Sequence, residues 1–89
     1  MRSRCTEAFW SSFRGLPGPV QAAARGKFRL WRSDPSHPSL RFKPVHPTEP
    51  VWSVRVSRDY RALGLRDGDG MTWFWIGSHA DYDRLLSRH

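Results

Sequence analysis

Three strand-like runs, Val51 to Ser57, Tyr60 to Arg66 and Met71 to Ile76, follow one another with only tight turns between them. Connections that short force neighbouring strands to run antiparallel. The second gap is Asp67-Gly68-Asp69-Gly70, where glycine supplies the positive φ that a hairpin turn needs. The same four residues resemble the start of a calcium loop, but the twelfth position of such a loop is Ser78, which is no acid. In the first run Trp52, Val54 and Val56 fall on one side, and Ser53, Arg55 and Ser57 on the other. A meander with one apolar face needs a cover, and the rest of the chain must provide it.

Helical spacing upstream provides that cover. Phe9, Trp10, Phe13 and Leu16 recur at helical intervals behind Thr6, an N-cap residue. Leu16-Pro17-Gly18-Pro19 breaks this helix and opens a second one. There Val20, Ala24, Phe28 and Trp31 repeat about every four residues until Asp34-Pro35. Gly26 weakens that helix by about 1 kcal/mol relative to alanine. Positions 33–50 hold five of the seven prolines and read as an irregular connection, with Leu40 to Lys43 its one strand-like stretch. Ser78 and Asp81 form a capping arrangement for a short terminal helix, with Tyr82, Leu85 and Leu86 on one side. The expectation is α+β: an N-terminal helical hairpin packed on one face of a small antiparallel sheet of three or four strands, then a short C-terminal helix. Residues 1–89 form a single domain, because 89 residues leave no room for a second core.

Several classes fall away. The longest purely apolar run is Trp73 to Ile76, so no segment spans a bilayer, and no apolar stretch follows the basic Met1 to Thr6 to make a secretory signal. One cysteine, Cys5, in an end read as frayed, excludes a disulfide framework and multi-cysteine zinc sites. A cytoplasmic protein without cofactor or metal is expected. Fifteen Lys and Arg against eight Asp and Glu give a net charge of +7, and thirteen of the fifteen are arginine. Arginine's planar, permanently charged fork suits phosphate, so the balance favours an anionic partner such as nucleic acid. A solubilising basic surface is the plainer alternative.

The cations fall in a pattern. Arg55 points away from the helices, a short turn brings Arg61 beside it, and Lys43 reaches the same face from the neighbouring stretch. Three cations on one face make a phosphate-binding floor, unless they pair with Asp59, Asp67 and Asp69 across strands. His79 stands at the mouth of that face, suited to proton transfer near neutral pH or else to capping and packing. Tyr82 lies three residues on, as a phenol within reach or as a core residue. No serine or cysteine nucleophile with a base and no glycine-rich phosphate loop is present. A set of Arg, Lys, His and Tyr suits RNA cleavage, in which the substrate's own 2′-hydroxyl is the nucleophile and no metal is required.

The segments Leu16-Pro17, Val20-Gln21, Asp34 to Lys43, Trp52-Ser53-Val54-Arg55, Asp59-Tyr60-Arg61 and Trp75 to Tyr82 together resemble the RelE/ParE superfamily of toxins from bacterial type II toxin–antitoxin systems. The resemblance runs from about Phe9 to Leu86. It implies a ribosome-dependent mRNA endonuclease that inhibits translation and is neutralised by a cognate antitoxin, which also sets the oligomeric state. In that reading Arg61 holds the scissile phosphate, while Arg55 and Lys43 supply the flanking charge. His79 acts as general acid or base, and Tyr82 stacks or aligns a base. Arg41, His46 and Arg58 contact RNA from the surrounding loops, and His37 has no assigned role.

The superfamily also contains ParE-type toxins that inhibit DNA gyrase without the nuclease set, and fold analogy does not separate the two. Few lysines and no dense histidine cluster keep that alternative open. A degenerate toxin serving only as an antitoxin-binding partner is the third.

Overall fold

The computed structural model describes residues 2–87. The chain runs through β1 (Arg2–Cys5), α1 (Glu7–Arg14), α2 (Gly18–Ser33), a 3-10 turn (Pro38–Leu40), β2 (Lys43–Pro44), β3 (Val51–Ser57), β4 (Tyr60–Asp67), β5 (Gly70–Ser78) and α3 (His79–Ser87). The strands form one sheet in the order β1-β5-β4-β3-β2.

Local chemistry places the helices. Thr6 Oγ1 accepts a hydrogen bond from Phe9 N at 3.1 Å, capping α1, and Glu7 and Arg14 complement its dipole at either end. Pro19 sits in the first turn of α2, where its missing N–H costs nothing, and Gln21 Nε2 donates to Leu16 O at 3.0 Å across the break. Both helices bury their apolar side against β3, β4 and β5. Phe9, Phe13, Ala24 and Trp31 meet Val54, Val56, Ala62, Trp73 and Ile76 in one core. Trp31 and Trp73 pack edge to face at 5.3 Å, and Phe28 meets Trp73 at 5.1 Å.

The sheet has five strands, where three or four antiparallel ones were expected, and one pairing is parallel. Arg2–Cys5, read from sequence as a frayed end, pairs with β5 from Arg2↔Gly70 to Cys5↔Trp73. Thr6 N extends the ladder by donating to Trp73 O at 3.0 Å. Leu40 to Lys43 is also not a strand throughout. Pro38–Leu40 turns once, Arg41 takes a left-handed conformation with φ 44°, and only Lys43 and Pro44 pair with β3. The proline spacing explains this, because Pro38 fixes the first turn and Pro44 has no N–H to continue a ladder.

The hairpin turn forms at Asp67 to Gly70 with Gly68 at φ 61°. A bulge between Leu63 and Gly64 shifts the β4–β5 register, so that Leu63 faces Trp75 and Gly64 faces Trp73. Strict alternation would send Trp73 and Ile76 to opposite faces, and the extra residue lets both enter the core. Ser78 Oγ accepts from Asp81 N at 3.1 Å and caps α3, as its spacing predicts. Among the described residues no helix is long and apolar enough to cross a membrane.

Candidate functional site

The face of the sheet turned away from α1 and α2 carries the cations. Alternation puts Ala62 in the core and therefore Arg61 on the opposite side. The β3–β4 register sets Arg61 directly across from Arg55, and the β2–β3 register sets Lys43 across from Ser53. Arg55, Arg61 and Lys43 thus share one face. That face is only partly open, because α3 folds back over it and buries Tyr82 to 6% exposure.

Arg61 is the centre of the arrangement. It is 6% exposed, and its Nε donates to Ser53 Oγ at 2.8 Å, with Ser53 itself fully buried. Its guanidinium lies 5.2 Å from the centre of the Tyr82 ring. Nη2 is buried and has no hydrogen-bond partner in the protein. Burial pushes the Arg61 pKa down from the usual arginine value; Tyr82 opposes this, and the nearby charges of Arg55 and Arg41 add to it. Arginine stays charged under these pressures. A buried cation with an unmet donor and like charges beside it is a site that an anion would relieve.

The left-handed Arg41 follows the 3-10 turn that brings it near Arg61. His37 Nδ1 accepts from Ser39 N at 3.2 Å and lies 2.9 Å from Ser39 Oγ, while Lys27 Nζ donates to the same hydroxyl at 3.0 Å. This knot ties the turn to α2.

His79 opens α3 with its side chain 47% exposed, and its ring centre lies 5.5 Å from that of Tyr82. Its Nδ1 lies 3.2 Å from Asp83 Oδ2. When Nδ1 carries the proton it donates to Asp83, and Nε2 is then the basic nitrogen offered to a substrate. Arg61, Tyr82 and His79 form a contiguous row. Of the remaining candidates, Arg58 is exposed in the β3–β4 turn. His46 lies in the 46–49 loop, where its Nδ1 accepts from Thr48 N and Glu49 N at 3.2 and 2.9 Å.

Two residues of the site escaped the sequence reading. Asp83 is legible in hindsight as the helical i+4 partner of His79. Ser53 is not, since its link to Arg61 exists only once the strands are in register. Cys5 belongs to the opposite side of the sheet, and burial raises its thiol pKa, which disfavours the thiolate. Among the described residues no group of three or more His, Cys, Asp or Glu is placed to hold a metal ion.

The same architecture occurs in solved structures. YafQ from Escherichia coli BL21(DE3) superposes with a TM-score of 0.73 at 10% identity, covering 92% of this chain and 98% of that one. The RelB–RelE antitoxin–toxin complex from Methanococcus jannaschii gives 0.72 at 15% identity over 90% and 95%. The YoeB/ParE toxin from Agrobacterium tumefaciens gives 0.68 at 14% over 89% and 99%. Identities this low establish a shared fold. Among curated proteins none is a match in sequence. The sequence model of the ParE-like toxin domain, however, matches residues 19–84, from the start of α2 into α3, and with it nearly all of the cationic face. On that match the chain belongs to the ParE-like toxin family.

Proposed function

We propose that this chain is the toxin of a type II toxin–antitoxin pair and cleaves ribosome-bound mRNA in the cytoplasm. The observation that carries the reading is the buried Arg61, whose Nη2 lacks a partner while Arg41 and Arg55 stand beside it. A phosphodiester placed there accepts from Nη2 and neutralises the crowded charges. The 2′-hydroxyl oxygen of the RNA attacks the adjacent phosphorus, a P–O bond forms, and the bond to the 5′-oxygen breaks. One proton leaves the 2′-hydroxyl and one joins the departing 5′-oxygen; His79, oriented through Asp83, carries one of these transfers and water carries the other. The arginines stabilise the charge of the pentacovalent state. Tyr82 steadies Arg61 and His79 between which it lies, and Lys43, Arg58 and His46 extend the RNA contact. A cognate antitoxin is the protein partner, in keeping with the relative solved as a RelB–RelE complex.

The test is brief induction in cells followed by mapping of mRNA 5′ ends. New ends inside translated codons, lost in Arg61→Ala and His79→Ala, are expected. Identical ends in both folded variants would remove these residues from the mechanism.

The ParE-like match favours a second reading, inhibition of DNA gyrase. It predicts growth arrest without new mRNA ends and altered plasmid supercoiling by purified gyrase plus toxin. Unchanged supercoiling rejects it.

A further inference from the structure

Among the described residues, Arg41 at φ 44° is the one residue other than glycine with a positive φ. Glycine or asparagine ordinarily fills a left-handed position at the end of a helical turn, because a Cβ there crowds the backbone. The neighbours of Arg41 are both committed to the interior. Leu40 is fully buried, and Phe42 packs against Trp31 at 5.8 Å and Trp52 at 4.6 Å. Arg41 itself is exposed, and its charge joins that of Arg55 in opposing the charge of Arg61. Among the described residues no carboxylate forms an ion pair with it. Backbone and electrostatics therefore both work against an arginine here. What it contributes that a glycine would not is a guanidinium beside Arg61.

The chain just before Arg41 shows how it is held. His37 is the N-cap of the 3-10 turn, and its Nδ1 accepts from Ser39 N at 3.2 Å and lies 2.9 Å from Ser39 Oγ. Ser39 Oγ accepts from Lys27 Nζ at 3.0 Å, which leaves the hydroxyl its own proton to give to Nδ1. Nδ1 must then carry a lone pair, so His37 is a neutral imidazole protonated on Nε2. The turn runs from there straight into Arg41: Leu40 N donates to His37 O at 3.1 Å, and Arg41 N donates to Pro38 O at 3.3 Å.

We infer that His37 is a positioning residue for the cationic face: its neutral Nδ1 folds the turn that sets Arg41 beside Arg61, where both guanidinium groups act on the phosphodiester backbone of a single-stranded RNA. The inference rests on the reading of that face as a phosphate site. His37 touches no substrate in it and acts through Arg41 alone. A cap that served only the fold would need no arginine in a left-handed position behind it, since glycine closes the same turn without strain.

The test is binding of a labelled 12-nucleotide poly(U) to the full chain at pH 8, followed by fluorescence anisotropy over a series of salt concentrations. Arg41→Ala should weaken binding about tenfold and lower the slope of log affinity against log salt by about 1. His37→Ala removes no charge, yet it is expected to reproduce both changes. His37→Asn supplies an oxygen acceptor at the same N-cap and should restore both to native values. In the Arg41→Ala background His37→Ala should cause no further loss. Circular dichroism and urea denaturation establish that each variant is folded. Native affinity and slope in folded His37→Ala, with Arg41→Ala and Arg61→Ala weakened, would overturn the inference alone. So would additive losses in the double variant, or His37→Asn binding as weakly as His37→Ala. Native affinity in both Arg41→Ala and Arg61→Ala would overturn the phosphate reading of the face, and this inference with it.

Discussion

Arg55 and Arg61 stand directly opposite one another across the β3–β4 ladder, two like charges in register. Each is drawn aside by a different acceptor: Arg55 Nε donates to Ser57 O at 3.3 Å, and Arg61 Nε donates to Ser53 Oγ at 2.8 Å. Like charges facing each other across strands are destabilising, so the pairing works against the fold. A phosphate between or above them would reverse its sign.

Removing one of the pair should therefore help the fold and harm binding. Arg55→Ala is expected to raise stability in urea by about 0.5 kcal/mol. In RNA binding it should lower affinity and reduce the slope of log affinity against log salt by about 1. An unchanged salt slope would take Arg55 out of the anion site.

Ser53 has a different task. Ser53→Ala leaves the Arg61 Nε donor buried without an acceptor, a loss expected to cost about 1–3 kcal/mol. In an Arg61→Leu background the same substitution should cost little, because no donor remains to be stranded. A double-mutant cycle by urea denaturation measures the difference, and purely additive effects would refute the coupling.

Two glycines admit the aromatic packing on either face. A Cβ at Gly64 would lie 2.6 Å from Met71 Cε, 2.9 Å from Trp73 Cε3 and 3.2 Å from the Thr72 carbonyl oxygen, all within or beside the core. Gly64→Ala is expected to destabilise by about 1–3 kcal/mol through overpacking. At Gly77 the obstacle is the half-buried Trp75 ring alone, 2.6 Å from the new atom. Gly77→Ala should cost less and change tryptophan fluorescence as that ring swings out. Equal losses at the two sites would contradict the packing described.

Acid should loosen α3. The Asp81 carboxylate is held below the ordinary aspartate pKa first by its hydrogen bond from Arg84 and then by one from Ser78. A pKa lowered in the folded state means that the charged carboxylate stabilises α3 above the ordinary value. That contribution disappears as pH falls through the depressed one. An NMR titration should place the Asp81 midpoint below that of a model aspartate, with Tyr82 signals following it. Asp81→Asn should abolish that step while leaving neutral-pH structure intact.

Sequence pattern alone locates β3 to β5, the Asp67 to Gly70 turn, both N-terminal helices and the cap of α3, because each depends on residues within a few positions of one another. It also places Arg55, Arg61 and Lys43 on one face, since alternation and short turns determine that. β1 is invisible because Arg-Ser-Arg-Cys is short and charged, and its partner lies far away in the chain. The burial of Arg61 is equally hidden. It arises when α3 returns over the sheet and brings Tyr82 against Arg61, a contact between elements that no local pattern announces. Leu40 to Lys43 reads as a strand because Leu-Arg-Phe-Lys alternates; the actual path into it is fixed by Pro38 and by the hydrogen bonds of His37 and Lys27 with Ser39.

The parallel pairing of β1 with β5 sets the order of assembly against the order of synthesis. A ribosome makes Arg2–Cys5 before any other part of the sheet, yet Arg2 has no partner until Gly70 has emerged. The first strand made is thus the last to be seated, and its arginines discourage wrong pairings during the wait. Phe9 and Phe13 follow directly behind it in α1, so their docking on β5 shares that delay. Ser3 and Cys5 line, with Phe9, Phe28 and Trp73, a groove on the helical side of the sheet, so that groove is complete only when the nascent chain has closed its sheet.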